Sequence, residues 1–254
     1  HNITYMFIQL YGTPDGNPCT ENDVMVNDTN KFFANGAPYG IRSTNGTEIN
    51  GGNIFDGFYG GDGDPSAVIY VTNTDPLNFT GQTMIADNVL TGGLTDINGI
   101  FAENVPYLNI ENNNIRMDGD MGGNNANGIK LVGSGNSTTP VFLVNNNVEI
   151  IQAANDNGIF GDNSYIMMNK SDVDLTGANG NVYSMYLTGT SGYMANSQIG
   201  TSGGYAMFLD NSDMGIYYNA IANSSGSLPA LMINGGTNVM RRNIIQNQLA
   251  GMAI

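Results

Sequence analysis

The sequence predicts an all-β solenoid: a parallel β-helix of about eight coils, each with three short strands. Three observations carry that prediction. Apolar residues recur in short alternating runs, the pattern of strands. The runs return every ~22–35 residues, inside the range of solenoid repeats. A short polar residue stands at a fixed offset from an apolar column in almost every repeat.

The columns are read as follows. Ile54, Val89, Ile115, Val148, Val173, Ile199, Ile221 and Ile245 each have an apolar residue five positions earlier, from Ile49 and Met84 through Ile110, Leu143, Met168, Met194 and Ile216 to Met240. A third column holds Ile41, Val68, Ile100, Ile129, Ile159, Met185, Met207, Leu231 and Met252, each after a small residue such as Gly99 or Gly128. The segments NGIFA, LNI and NIRM are one such coil. Strands this short cannot bury a face alone, so coils must stack in parallel and in register.

Two positions before the first column stand Gly52, Asp87, Asn113, Asn146, Ser171, Ser197, Asn219 and Asn243. These mark a sharp bend between the second and third strands, where backbone groups need partners. Asn tolerates left-handed backbone and its amide can bond the copies above and below, so a structural ladder is expected through Asn113, Asn146, Ser171, Ser197, Asn219 and Asn243. The plain alternative is that Asn merely marks loops.

With these columns in place, the chain resembles the right-handed parallel β-helix, or pectin-lyase-like, superfamily over roughly residues 41–254. That resemblance implies the fold and leaves function open, since the superfamily holds polysaccharide lyases and hydrolases, phage tailspikes and surface passengers. No enzyme family in it is matched. Asn73-Thr74-Asp75 resembles the NTD of polygalacturonases, but that family's paired aspartates, His-Gly and Arg-x-Lys are missing. His1 is the only histidine, and Arg241-Arg242 the only basic pair.

Residues 1–40 fit the columns badly and are expected to form a cap or an incomplete first coil, with 41–254 a single β-helix domain. The chain starts without Met and ends at AGMAI inside a coil, so a piece of a longer protein is expected. Charged residues are 11% of the chain and the net charge is −15, with Lys+Arg at 7. Nucleic acid and anionic membranes are therefore poor partners. No apolar run approaches the ~18–20 residues of a membrane span. Cys19 is alone, which excludes an intrachain disulfide. The low charge and the wealth of Asn, Gly, Ser and Thr point to a secreted protein, extracellular or at the cell surface.

Insertions fall in the first half and are acidic. Asp62, Asp64, Asp96, Asp118 and Asp120 are the candidates for a cation site, with Asp56 and Asp75 also in the acidic rims and Asp156 three residues before its column anchor. GGDGDP resembles a calcium-binding nonapeptide, although its last Asp comes one place early. Solvated Asp-Gly turns, calcium ligands and a catalytic carboxylate pair all remain open readings. No cofactor is required by any motif.

The residue after each third-column anchor should point outward. That row reads Arg42, Ile69, Phe101, Lys130, Phe160, Tyr186, Phe208, Met232 and Ala253. Phe101, Phe160, Tyr186 and Phe208 make an exposed aromatic stripe, which Tyr183 and Tyr205 widen if a bend turns them outward. A self-satisfied stack, a protein contact or self-assembly surface, and a sugar platform are the three readings. The expected function is a non-catalytic extracellular surface or fibre protein, adhesin-like or structural, binding through its solenoid faces. The alternative is a lyase or hydrolase acting on a neutral glycan with carboxylates of the early coils.

Overall fold

Short alternating strands with a polar bend every few residues can pair only with their counterparts one coil away, and they do so here. The computed structural model describes residues 8–11, 25–26, 29–33, 39–44, 47–58, 66–74, 82–93, 97–118, 126–151, 155–176, 182–224, 228–247 and 252–253. Its strands form three parallel sheets, here called A, B and C, of ten, nine and nine strands. The chain visits them in the repeating order A, B, C, so each strand pairs with the strand three elements on. This is the parallel β-helix that the repeats predict. Ile8–Tyr11, Met25–Val26 and Lys31–Phe33 already pair with the next coil in sheets A, B and C. Among the described residues no helix is long and apolar enough to cross a membrane.

The interior is a set of axial files. Leu143, Met168, Met194, Ile216 and Met240 lie over one another in sheet B, and the first four are fully buried. Ile115, Val148, Val173, Ile199, Ile221 and Ile245 do the same in sheet C. Gly99, Gly128 and Gly158 have a steric reason. A Cβ on Gly128 would stand 2.2 Å from Val148 Cγ1 and 2.7 Å from the Gly158 carbonyl oxygen. Sheets A and C approach closely there, and only a small residue fits.

In the earliest coils the columns shift by one residue. Leu90, not Val89, pairs with Ile115, and Phe55, not Ile54, pairs with Leu90. Ile85, not Met84, joins Ile110, and Ile69, not Val68, joins Ile100. A one-residue slip turns every side chain to the other face. Val89 is accordingly exposed and Leu90 buried. Phe58, which belongs to none of the predicted columns, is core, brought inward by an irregularity between Phe55 and Phe58.

This shift completes the ladder. Two places before Phe55 and Leu90 stand Asn53 and Asn88, which replace Gly52 and Asp87. Asn53 Nδ2 donates to Asn88 Oδ1 at 2.9 Å, Asn88 Nδ2 to Asn113 Oδ1 at 3.1 Å, and Asn113 Nδ2 to Asn146 Oδ1 at 3.1 Å. Asn113 Nδ2 also reaches the Ile85 carbonyl at 2.8 Å. Ser171, Ser197, Asn219 and Asn243 continue the file, each accepting a backbone N–H from the coil before. The left-handed backbone belongs to the preceding residue, with φ from +53° to +59° at Asp87, Asn112, Asn145, Lys170, Asn196, Tyr218 and Arg242. The three asparagines of ENNNI thus divide the work: Asn112 turns the chain, Asn113 bonds inward, and Asn114 faces solvent and accepts from Asn147.

A second ladder runs along the bend between sheets A and B. Val105, Ser134 and Thr190 each donate a backbone N–H to a hydroxyl one coil on: Ser134, Ser164 and Ser212. Before it, left-handed positions alternate as Asn104, Gly133, Asn163, Gly189, Asn211 and Gly235. Each Asn leans over the Gly of the next coil, so that a Cβ on Gly133, Gly189 or Gly235 would lie 2.6 Å from an Asn Oδ1.

Candidate functional site

The outer face of sheet A collects the chemistry. Its strands turn both the small residue and the following anchor inward, so the residues flanking that pair both face out. Three outward rows result. The first runs Tyr39, Ala67, Asn98, Asn127, Asn157, Tyr183, Tyr205. The second runs Arg42, Tyr70, Phe101, Lys130, Phe160, Tyr186, Phe208, Met232. The third runs Thr44, Thr72, Glu103, Val132, Asp162, Thr188, Asp210, Asn234. Tyr70 takes the outward place that the spacing gave to Ile69, which is fully buried.

Tyr183 and Tyr205 do join the stripe. Their rings stack at 5.4 Å and 11°, and Tyr183 lies 4.9 Å from Tyr186. Phe160 meets Tyr186 edge-on at 5.5 Å, and Tyr186 meets Phe208 at 5.3 Å. The five rings pack on one another and are half-buried rather than fully exposed. Burial, then the carboxylates of Asp210 and Asp162, pushes the Tyr186 hydroxyl pKa up. Burial, then Tyr205, does the same at Tyr183.

Phe101 departs from its expected exposure, at only 4%. It belongs to an outer apolar cluster with Tyr39, Ala67 and Tyr70, 5.1 Å from the Tyr70 ring. Lys130 caps it, with Nζ 4.9 Å from the Phe101 centroid and 5.9 Å from that of Phe160. Arg42 lies in the same way over Tyr70 and Tyr39. Tyr70 Oη donates to Glu103 Oε2 at 2.7 Å. Burial and that carboxylate push the Tyr70 pKa up to about 12. Burial lowers the Lys130 pKa, against the opposing pull of Glu103 and Asp162.

An amide file that the sequence reading overlooked borders this centre. Asn157 Nδ2 donates to Asn127 Oδ1 at 2.8 Å, Asn127 Nδ2 to Asn98 Oδ1 at 2.7 Å, and Asn98 Nδ2 to the Ser66 carbonyl at 2.9 Å. The signal was present as the recurring Asn-Gly before each of three anchors.

Of the acidic rim candidates, Asp62, Asp64, Asp96 and Asp120 lie outside the described residues, and Asp118 is an exposed strand end on sheet C. Among the described residues no three His, Cys, Asp or Glu side chains come together to hold an ion. Asp156 is a buried bend residue whose Oδ1 accepts the Ala126 N–H at 2.8 Å. On sheet A, Glu103 and Asp162 share the outer face with Lys130, and on sheet C Glu149 lies 3.8 Å from Arg116.

No protein-family model matches the chain, and no curated protein matches it. Among solved structures, the A-module of a mannuronan C-5 epimerase from Azotobacter vinelandii aligns with 100% of this chain and 91% of that module, at 11% identity and a TM-score of 0.30. So low a score carries no argument about function. The parallel β-helix is established by the chain's own topology.

Proposed function

We propose that the protein binds polysaccharide, taking an extended glycan chain along the outer face of sheet A. The observation that carries this reading is the continuity of three kinds of group on one sheet: the part-exposed Asn157 at the end of the amide file, a row of rings and cations, and a row with carboxylates. Amides and carboxylates hydrogen-bond hydroxyls, and ring surfaces take the apolar faces of sugars. Successive coils repeat these groups at ~4.8 Å, which suits a polymer lying along the axis. The net charge of −15 favours a neutral glycan. Such binding fits an extracellular surface or fibre component.

A second reading, chemistry on the bound chain, is favoured by one arrangement. Lys130 sits in the strand between those of Glu103 and Asp162. Glu103 and Asp162 stand two strand spacings apart, about 9.6 Å between backbones, on one face, and hydrolysis of a glycosidic bond uses two flanking carboxylates. Lys130, whose pKa burial lowers, lies between the two strands as a further polar contact for the bound chain.

Titration calorimetry against soluble neutral oligosaccharides, with reducing ends assayed in parallel, tests both. Binding that Lys130→Met and Tyr186→Ala each weaken, with no new ends, supports the first reading. New ends that Lys130→Met and Asp162→Asn abolish support the second. Wild-type protein that neither binds nor converts any neutral glycan overturns both.

A further inference from the structure

Sheet B carries a second set of outward aromatic side chains, at positions one or three before its interior anchors. Phe142, Met167 and Tyr193 pair directly across consecutive coils. Tyr107 and Tyr165 stand at the neighbouring outward position, just before Leu108 and Ile166. Tyr107, Phe142 and Tyr193 are 41%, 38% and 39% exposed. Among the described residues none of these four rings packs on another ring. One coil beyond Tyr193, the Tyr217 ring lies over Gly215, where a Cβ would stand 2.7 Å from the ring.

Charge is absent from the centre of this face. The three strands Val141–Val144, Tyr165–Asn169 and Ser191–Ala195 contain no Asp, Glu, Lys or Arg. Carboxylates stand in the strands on either side, at Glu111 and Asp213. In a chain of net charge −15, a flat face free of charge across three coils fits a neutral partner. Spacing narrows the partner further. Phe142 and Tyr193 are two coils apart, as are Tyr107 and Tyr165. Two coils span about 9.6 Å. A β-1,4-linked hexose chain presents every second sugar in the same orientation at about that repeat.

We propose that the outer face of sheet B is a second carbohydrate-contact surface, a flat platform that lays Tyr107, Phe142, Tyr165 and Tyr193 against a neutral β-1,4-linked polysaccharide. Unpaired rings offer their faces to sugars, and Met167 fills the space between them. A second copy of the chain is a weaker occupant. The stripe covers only about three to five strands of ~4.8 Å spacing, well short of the ~800 Å² per partner of a stable interface. The proposal does not rest on the sheet A reading, because the two faces share no residue.

The test is depletion of the protein from solution by microcrystalline cellulose and by chitin particles, with a pectate gel as the charged control. Wild-type protein is expected on at least one neutral solid and not on pectate. The variant Phe142→Ser/Tyr193→Ser should lose at least about tenfold in partition. Met167→Lys keeps every ring but puts a charge in the stripe, and should lose as much. Arg116→Gln, on the outer face of sheet C, should be retained like wild type. Circular dichroism and thermal melting confirm that each variant is folded. Failure of wild type to bind either neutral solid overturns the proposal, as does undiminished binding by the folded sheet B variants. A dimer that Phe142→Ser/Tyr193→Ser dissociates would assign the face to a second copy and overturn it too.

Discussion

The outer faces of sheets A and B are made from the same kind of strand, yet they use their rings in opposite ways. On sheet A, Phe160, Tyr183, Tyr186, Tyr205 and Phe208 contact one another, and Tyr39, Tyr70 and Phe101 close a second cluster under two cations. On sheet B, Phe142 and Tyr193 stand alone with more than a third of their surface in solvent. Ring–ring contacts stabilise the fold but take up ring surface that a ligand would otherwise meet. Sheet A should therefore bind mainly through its polar groups and ring edges, and sheet B through ring faces. An aromatic row read from sequence does not by itself distinguish the two.

The sharpest way to break the comparison is to remove a ring on sheet A that is already buried. Phe101→Ala takes out a ring that is 4% exposed and packed under Lys130. A loss of about 3 kcal/mol is expected in urea unfolding. Tyr186→Ala comes next, at about 2 kcal/mol, because its ring touches Phe160, Tyr183 and Phe208 but is only half-buried. Losses under about 0.5 kcal/mol at both positions would show that the rings of sheet A are as independent as those of sheet B.

A smaller effect is expected at Glu103→Gln. The charged acceptor of the Tyr70 hydroxyl is removed while burial of the ring remains. Stability should fall by about 1 kcal/mol near neutral pH. The Tyr70 pKa should drop from about 12 toward 10.0 without reaching it. The sign of the pH effect follows. Between 10.0 and about 12 the unfolded chain has lost the Tyr70 proton and the folded chain keeps it. The contribution is thus complete below 10.0 and disappears as pH rises through about 12. In Glu103→Gln that window narrows from its upper end, which ultraviolet titration of tyrosinate can follow.

The same contrast explains what was legible in the sequence. The ladder was legible because Asn113, Asn146, Ser171 and Ser197 keep one offset from their columns, and side-chain bonding between coils demands that constancy. The first coils misled for two reasons. The bend at Gly51 and Gly52 carries an extra residue, so Ile49 and Phe55 are six apart. SAVIYVT is apolar in either register, and the structure buries both faces of it except Thr72. Alternation placed Phe101 outward correctly, but exposure depends on what neighbouring coils lay over a side chain, here Lys130 and Tyr70. The sheet B stripe was equally periodic. It sits on the other side of its anchors: outward residues follow the anchors on sheet A, whereas Phe142, Met167 and Tyr193 precede theirs.

The smallest effect on stability separates the two faces most cleanly. Tyr193 has no ring partner among the described residues, and its backbone lies in an unbroken parallel ladder with Met167 and Gly215. Truncation to Ala removes little packing, so Tyr193→Ala should cost no more than about 0.5 kcal/mol. The β-propensity of a tyrosine on an outer strand face is worth a similar few tenths. Retention on a neutral insoluble glycan should nevertheless fall severalfold, because a ring face free for sugar is also a ring face free of protein. At Tyr186 the loss of stability should be several times larger, because that ring contacts three others. If Tyr193→Ala proved as destabilising as Tyr186→Ala, its ring would be structural, and sheet B would lose the feature that sets it apart from sheet A.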